Sequence, residues 1–320
     1  MSIYIAIVAL SFERVFAYPM VLQMLYRHPV EWMGSFIAWF EAHYNQGLAI
    51  ERKRAGMIML FFLVFFSLLI SVLLVYLTNL LPFGWFFQGL IAFTLLSQNQ
   101  LGKAVKAVAD GLEISLQNGR EAVRHIVGRD VKNLDAAEVS RAGIETLAEN
   151  ASDGFIAPLF YLLIFGLPGI VIYKAINTAD SMVGHKSEKY KDFGYASAVI
   201  DDVVNYIPAR ICALLFVLAA MIYRPASWQG AIRSVKQDAK KHASPNAGWP
   251  ESAFAGALGF GLGGKRSYKG EMLDLAQMGD GRRDLGVKDI NSSLGFYNLM
   301  SGFVLYLVFI AGFIFMILQY

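Results

Sequence analysis

From Glu138 to Gly154 the chain reads EVSRAGIETLAENASDG, an acidic helix running straight into an uncharged apolar segment. At 3.6 residues per turn Glu138, Arg141, Glu145, Glu149 and Asp153 recur every three or four positions and share one face. Glu145, Glu149 and Asp153 then lie one above another, and like charges at that spacing repel unless something positive sits among them. A hard divalent cation such as Mg²⁺, taking carboxylate and amide oxygens, meets that need, with Asn150 adding a neutral oxygen. A solvated face partly neutralised by Arg141 is the simpler alternative. Position argues against it. GFIAPLFYLLIFGLPGIVIY carries no charge from Gly154 to Tyr173, so the stripe ends at a membrane surface or an apolar core, where unpaired acids are costly.

Other stretches carry groups of the same kind. In YKAINTADSMVGHKSEKY, Lys174, Asn177, Thr178 and Ser181 form a polar face with Asp180 beside it. The lysine suits phosphate and the aspartate a metal, with a structural ion pair as the plainer reading. Asp201-Asp202-Val203-Val204-Asn205 sets an amide three to four residues after two acids, with Arg210 further along the same helix. That is either a second set of hard oxygen ligands or a helix N-cap. The stretch HASPNAGWPE, from His242 through Asn246 to Glu251, is a rigid polar turn around two prolines, and such turns present side chains. His242 is there a candidate base or phosphate donor. The run from Gly259 through Gly263 and Gly264 to Lys265 nearly follows a P-loop, but Arg266 stands where Ser or Thr would meet Mg²⁺ and no strand is expected before it, which excludes that fold. Backbone N–H groups beside Lys265, Arg266 and Lys269 still suit an anion.

The elements that must position these groups are membrane helices. With 56% hydrophobic and 17% charged residues and a mean hydropathy of +0.46, the composition excludes an ordinary soluble protein. The sequence predicts an all-α integral membrane protein, a single domain over 1–320, with four to five embedded helical segments, some of them re-entrant, and cytoplasmic helical loops forming the site. The surest spans are 55–81 and 296–318, both uncharged. Arg52-Lys53-Arg54 places the start of the first in the cytoplasm by the positive-inside rule. Trp85 to Leu101 is expected to return, leaving 103–153 and 224–295 as cytoplasmic segments. The first of these carries 7 Lys/Arg against 9 Asp/Glu and the second 11 against 7, a division that suits anionic substrates with a metal between them. Gly166-Leu167-Pro168-Gly169 breaks the 154–173 segment, so it either spans or folds back as a hairpin that keeps 174–202 beside the acidic stripe. The same choice is open for 203–223, with Pro208 and Arg210. Before the first span, prolines break residues 1–54 into short interfacial helices, and the stripe Trp32, Phe36, Trp39, Phe40 and His43 reads as packing or an interfacial belt. The single cysteine, Cys212, excludes a disulfide framework or a cysteine metal site. The start lacks the marks of a cleavable signal peptide.

The segments IVGRDVKNLD, AEVSRAGIETLAENASDGFIAPLF, YKAINTADSMVGHKSEKYKDFGYASAVIDDVVNYIPAR and HASPNAGWPESAFAGALGFGLGG, in this order, closely resemble the cobalamin-biosynthesis family called CbiB or CobD, adenosylcobinamide-phosphate synthase. The resemblance implies an ATP-dependent amide ligase of the bacterial inner membrane, multi-pass, with its site facing the cytoplasm. It would join the carboxylate of adenosylcobyric acid to aminopropanol phosphate or ethanolamine phosphate, giving adenosylcobinamide phosphate. ATP and Mg²⁺ are the expected cofactors. Corrinoid, amino-alcohol phosphate and membrane lipid are the expected partners, with a second copy of the chain or other cobalamin-pathway membrane enzymes beside them and no nucleic acid.

Residue type assigns the roles within that reaction. Activating a carboxylate as an acyl phosphate crowds anions that Mg²⁺ and basic groups must offset. Glu145, Glu149, Asn150, Asp153, Asn177 and Asp180 would hold Mg²⁺; Lys174, Arg129, Lys186 and Arg210 would clamp phosphates, with Asn246 and the backbone at Gly263 and Gly264 beside them. His242 or Glu251 would take the amine's proton, and Glu149, Asp180, Lys174 and His242 are the catalytic candidates. The start departs from the family pattern, because Ala17-Tyr18-Pro19 lacks an aspartate and Glu31 replaces an arginine. Two other readings compete: a non-catalytic inner-membrane sensor of the AmpE type, which would have lost the charged motifs present here, and a transporter, which would need charges in the two surest spans.

Overall fold

The computed structural model describes residues 1–16, 28–185, 187–268 and 271–319, with backbone alone for 265–268 and 271–273. In chain order the elements begin with α1 (Ser2–Val15), α2 (Pro29–Tyr44), α3 (Ala49–Asn79), α4 (Gly84–Phe93), α5 (Gln98–Ile114), α6 (Leu116–Arg124) and α7 (Ala136–Asn150). A π turn (Ala151–Ile156) leads into α8 (Ala157–Val183), followed by α9 (Tyr195–Ala220), α10 (Trp228–Asp238), α11 (Gly248–Leu258), β1 (Leu262–Tyr268), β2 (Glu271–Met278) and α12 (Val287–Ile317). Among the described residues four helical stretches are long and apolar enough to cross a membrane: Ala49–Asn79, Ala136–Val183, Tyr195–Ala220 and Val287–Ile317. The protein is therefore a mostly helical membrane protein, as its composition predicts.

The chain forms two compact units. The first comprises Met1–Ser97, Ala157–Asn205 and Val308–Tyr320; the second comprises Gln98–Ile156 and Tyr206–Leu307. In the first unit Ile37 of α2, Met59 and Leu63 of α3, Ala175, Ala179 and Val183 of α8, and Phe193 make one buried cluster. The return span expected over Trp85 to Leu101 does not form. α4 stops at Phe93, after roughly 15 Å of helix. Thr94 bonds its hydroxyl to Ile91 O (2.8 Å), a local bond that competes with helix, and gives its own carbonyl to His28 Nε2 (2.8 Å). Because His28 Nδ1 accepts from Val30 N–H at the start of α2, the ring proton belongs on Nε2; burial holds this imidazole below its usual pKa.

The choice left open at Gly166 is decided in favour of a hairpin. Gly166 adopts φ 65°, ψ −152°, outside helical space, a conformation that only glycine tolerates well. On either side the two arms pack on each other: Tyr161 stacks on Tyr173 with ring centroids 5.3 Å apart, and a Cβ added to Gly169 would sit 2.3 Å from Tyr161 O. A straight helix would hold residues 161 and 173 roughly 18 Å apart. Pro168 falls in the first turn of the second arm, where its missing N–H costs nothing. The α8 segment thus enters for nine residues, turns, and runs back, so it is re-entrant.

In the second unit the stretch after α11, from which the sequence predicts no strand, forms an antiparallel hairpin of β1 and β2, with a register shift between Gly263 and Lys265. Gly263 and Gly264 both have positive φ, and a Cβ on Gly263 would meet Ala276 O at 2.4 Å. Asp238 pins the base of the hairpin by accepting the Gly279 N–H at 3.0 Å. The rigid turn expected at 242–251 holds only to Ala247, after which α11 begins, with Pro250 in its first turn.

Candidate functional site

In the first unit the polar residues of the second arm of α8 face those of α9 as an antiparallel ladder. Tyr173 donates its hydroxyl to Asn205 Oδ1 (2.9 Å), Asn205 Nδ2 donates to Asp201 Oδ2 (2.8 Å), and Asn177 Nδ2 approaches Asp201 Oδ1 at 3.5 Å. Residues 173 and 177 on one helix thus meet 205 and 201 on the other, one helical turn per rung. Asp201 and Asn205 are buried. Asp180 lies within electrostatic reach of Asp201 and Asp202. Gly184 leaves room for it: a Cβ there would fall 1.9 Å from Asp180 Oδ1. Ser197, four residues before Asp201 on the same face, is buried, and among the described residues its hydroxyl has no hydrogen-bond partner.

The ladder stands at the end of the membrane segment because the connection 184–194 is held down. A Cβ on Gly194 would be 1.6 Å from Val183 O, and one on Gly56 would be 1.7 Å from Phe193 O, so both close approaches require glycine. Arg52 pairs with Asp192, Lys189 with Glu41 (3.0 Å), and Lys53 lies over the Tyr195 ring. Further along α9, Pro208 cannot donate to the carbonyl of Val204. The Tyr161 hydroxyl fills that place at 2.9 Å.

In the second unit Glu145 is buried and doubly engaged. Its Oε2 pairs with Arg129 at 3.1 Å, and its Oε1 accepts the Gly263 N–H at 2.6 Å. Gly263 O in turn accepts from Arg283 Nη2 (2.7 Å), and Arg283 O from Arg141 Nη1 (2.5 Å). Glu145, Arg129 and the Gly263 N–H, which the sequence offers to metal and phosphate, thus meet one another within the protein. The anion that the glycine-rich turn cradles is the protein's own carboxylate, which ties the β-hairpin to α7. Burial changes along the stripe. An i,i+4 step advances 40° around a helix, so from buried Glu145 it passes to exposed Glu149 and then to half-buried Asp153 on the π turn. Asn150 spends its amide on Thr146 O (3.1 Å). Among the described residues no group of three or more His, Cys, Asp and Glu is placed to hold a metal.

Four other expected residues meet in two pairs. Arg210 donates from Nη1 to Asn246 Oδ1 (3.3 Å) and to Tyr206 O (2.5 Å), with its guanidinium over the rings of Tyr206 and Trp249. His242 Nε2 lies 3.7 Å from Oε1 of the buried Glu251. Lys174 is buried on α8. Lys186, Lys269 and the Ala17-Tyr18-Pro19 segment lie outside the described residues. The sequence reading missed the hydroxyls of Tyr161 and Tyr173 and the aromatic shelf under Arg210. A proline four residues after Val204 and a tyrosine four before Arg210 were the available signals.

Among the described residues one pair of acids matches what Mg²⁺ asks of a protein. Mg²⁺ binds through one or two carboxylates and fills its remaining positions with water and substrate phosphate. Asp180 and Asp201 are the carboxylates that would hold such an ion, with the Asn177 side chain beside Asp201 and the Asp180 carboxylate filling the room that Gly184 gives it.

The family model described as CobD/Cbib protein matches residues 6–297. A "Cobalamin biosynthesis protein CobD" from Brucella anthropi is 43% identical over 310 residues, which cover 93% of this chain and 94% of that protein. Proteins of the same name from Halalkalibacterium halodurans and Rhodobacter capsulatus are 40% and 39% identical, over 91% and 95% of this chain and 92% and 96% of their own lengths. No solved structure matches the chain.

Proposed function

The chain belongs to the CobD/CbiB family and takes part in cobalamin biosynthesis, and from that premise we propose that it is an ATP-dependent amide ligase of the bacterial inner membrane. It joins the carboxylate of adenosylcobyric acid to the amine of an amino-alcohol phosphate, its site open to the cytoplasm. The observation that supports this most is the ladder of the first unit, where two aspartates and two amides are held at the end of a re-entrant hairpin. Acids are retained at such a place when they serve a cation or a substrate.

Bound there, Mg²⁺ would offset the charge of phosphate groups as the carboxylate is activated. The protein's own residues do the rest. Asn177 and Asn205, fixed by their bonds to Asp201 and Tyr173, hold the Asp201 carboxylate in one orientation. Lys174 offers a cation on the same arm. Within the second unit His242, 3.7 Å from Glu251, is the candidate to take a proton. The test is to incubate the purified full chain with adenosylcobyric acid, ATP, Mg²⁺ and either ethanolamine phosphate or aminopropanol phosphate, and detect the amide by mass. Formation of the amide only when all components are present is the expected result; its absence with both amines overturns the reading.

A further inference from the structure

Arg210 lies in the second half of α9, an apolar helix long enough to span a membrane. A cation at such a position is costly unless an anion or a water-filled cavity answers it. Among the described residues no carboxylate lies within ion-pairing distance of this guanidinium, and its Nε and Nη2 meet no acceptor. Only Nη1 is spent, on two neutral oxygens, Tyr206 O and Asn246 Oδ1. The group is nevertheless held in place, 3.4 Å from the centroid of the Tyr206 ring and 4.4 Å from that of Trp249. Stacking of this kind fixes the plane of a guanidinium and leaves its edge as a two-donor fork, the geometry that matches a phosphate or carboxylate.

The neighbourhood narrows the ligand further. Asn246 lies in the same short turn as His242, Trp249 in the first turn of α11 that follows it, and His242 lies beside Glu251. Gly248 binds that turn together, since a Cβ on it would fall 2.2 Å from Ala239 O and 2.6 Å from His242 Cβ. The fork thus bonds to Asn246, four residues after the proton acceptor His242, an arrangement that suits one small molecule carrying both an anion and an amine.

We propose that Arg210 and Asn246, on the shelf of Tyr206 and Trp249, seat the phosphate of a small amino phosphate, a phosphate monoester with an amine a few bonds away. The assignment rests on the ligase reading and adds to it where the amine substrate is held.

The test uses the full chain in nanodiscs of zwitterionic lipid, titrated calorimetrically with ethanolamine phosphate, ethanolamine and ATP. Wild type is expected to bind ethanolamine phosphate. Arg210→Lys keeps the charge but loses the fork, and weakens that binding about tenfold or more while leaving ATP affinity unchanged. Asn246→Asp places a carboxylate beside Arg210, supplies the counter-ion from within, and abolishes binding with the thermal melt retained. Unchanged ethanolamine phosphate affinity in both variants overturns the proposal, as does a loss confined to ATP. The two readings fail separately. Ethanolamine phosphate binding that depends on Arg210, without amide formation by wild type, sinks the ligase and leaves the seat; amide formation by Asn246→Asp at the wild-type rate sinks the seat and leaves the ligase.

Discussion

The ring of Tyr161 lies 5.3 Å from that of Tyr173 and is inclined to it by only 13°, although twelve residues separate them. No straight helix permits this, so the apolar segment between them turns back at Gly166. Both hydroxyls then reach α9, one at Val204 O and the other at Asn205. The hairpin and the ladder are therefore one construction.

The first consequence is topological. The connection 184–194 is fastened to the start of α3 through Arg52, Lys53 and Gly56. A cysteine placed at 190 is expected to react with an impermeant thiol reagent from the same side of the membrane as one placed at 54, the cytoplasmic side. Reaction of the two from opposite sides removes the re-entrant hairpin.

The bond from Tyr161 to Val204 O should carry a measurable stability. Tyr161→Phe leaves a carbonyl that Pro208 has already deprived of its helical donor, and should cost about 1–2 kcal/mol. Pro208→Ala restores the N–H, so in the double variant the loss should shrink. Equal loss with and without Pro208, read from unfolding in mixed micelles, would show that the hydroxyl does not serve this carbonyl.

Gly184 is predicted to matter through Asp180. Gly184→Ala sets a methyl 1.9 Å from Asp180 Oδ1 and 2.7 Å from its carbonyl oxygen, so the carboxylate must move. Misplacement of about an ångström costs on the order of a hundredfold in rate. Amide formation should fall accordingly in Gly184→Ala, and further in Asp180→Ala, while insertion into the membrane persists. Wild-type turnover by purified Asp180→Ala removes that carboxylate from the proposed metal site.

Glu145 is expected to behave as a strut. Glu145→Ala takes away the carboxylate of a buried pair and should cost about 3–5 kcal/mol, with faster hydrogen exchange along β1 and β2. Glu145→Gln keeps an acceptor for Gly263 N–H and should lose less. In Glu145→Gln the Mg²⁺ concentration that gives half-maximal rate should stay at its wild-type value; a rise of tenfold would return Glu145 to the metal.

Much of this protein is legible in its sequence. Long uncharged runs give the spans because lipid admits little else, and the glycine and proline at 166 and 168 mark a break. The spacing of Asn177, Asp180, Asp201 and Asn205 marks a polar face before any partner is known. Arg210 and the turn containing Asn246 were also visible as separate signals. Which carboxylate meets which partner was decided only by the tertiary structure. Helical periodicity says which residues share a face but not what that face meets, so the sequence offers Glu145 as a ligand and only the tertiary structure pairs it with Arg129 and the Gly263 N–H. The break at 166–169 leaves both spanning and folding back open to the sequence, with a broken helix favouring the second, because both bury the same apolar surface. Stacking of Tyr161 on Tyr173 and the hydroxyl that answers Pro208 are contacts between distant positions, and they select the hairpin.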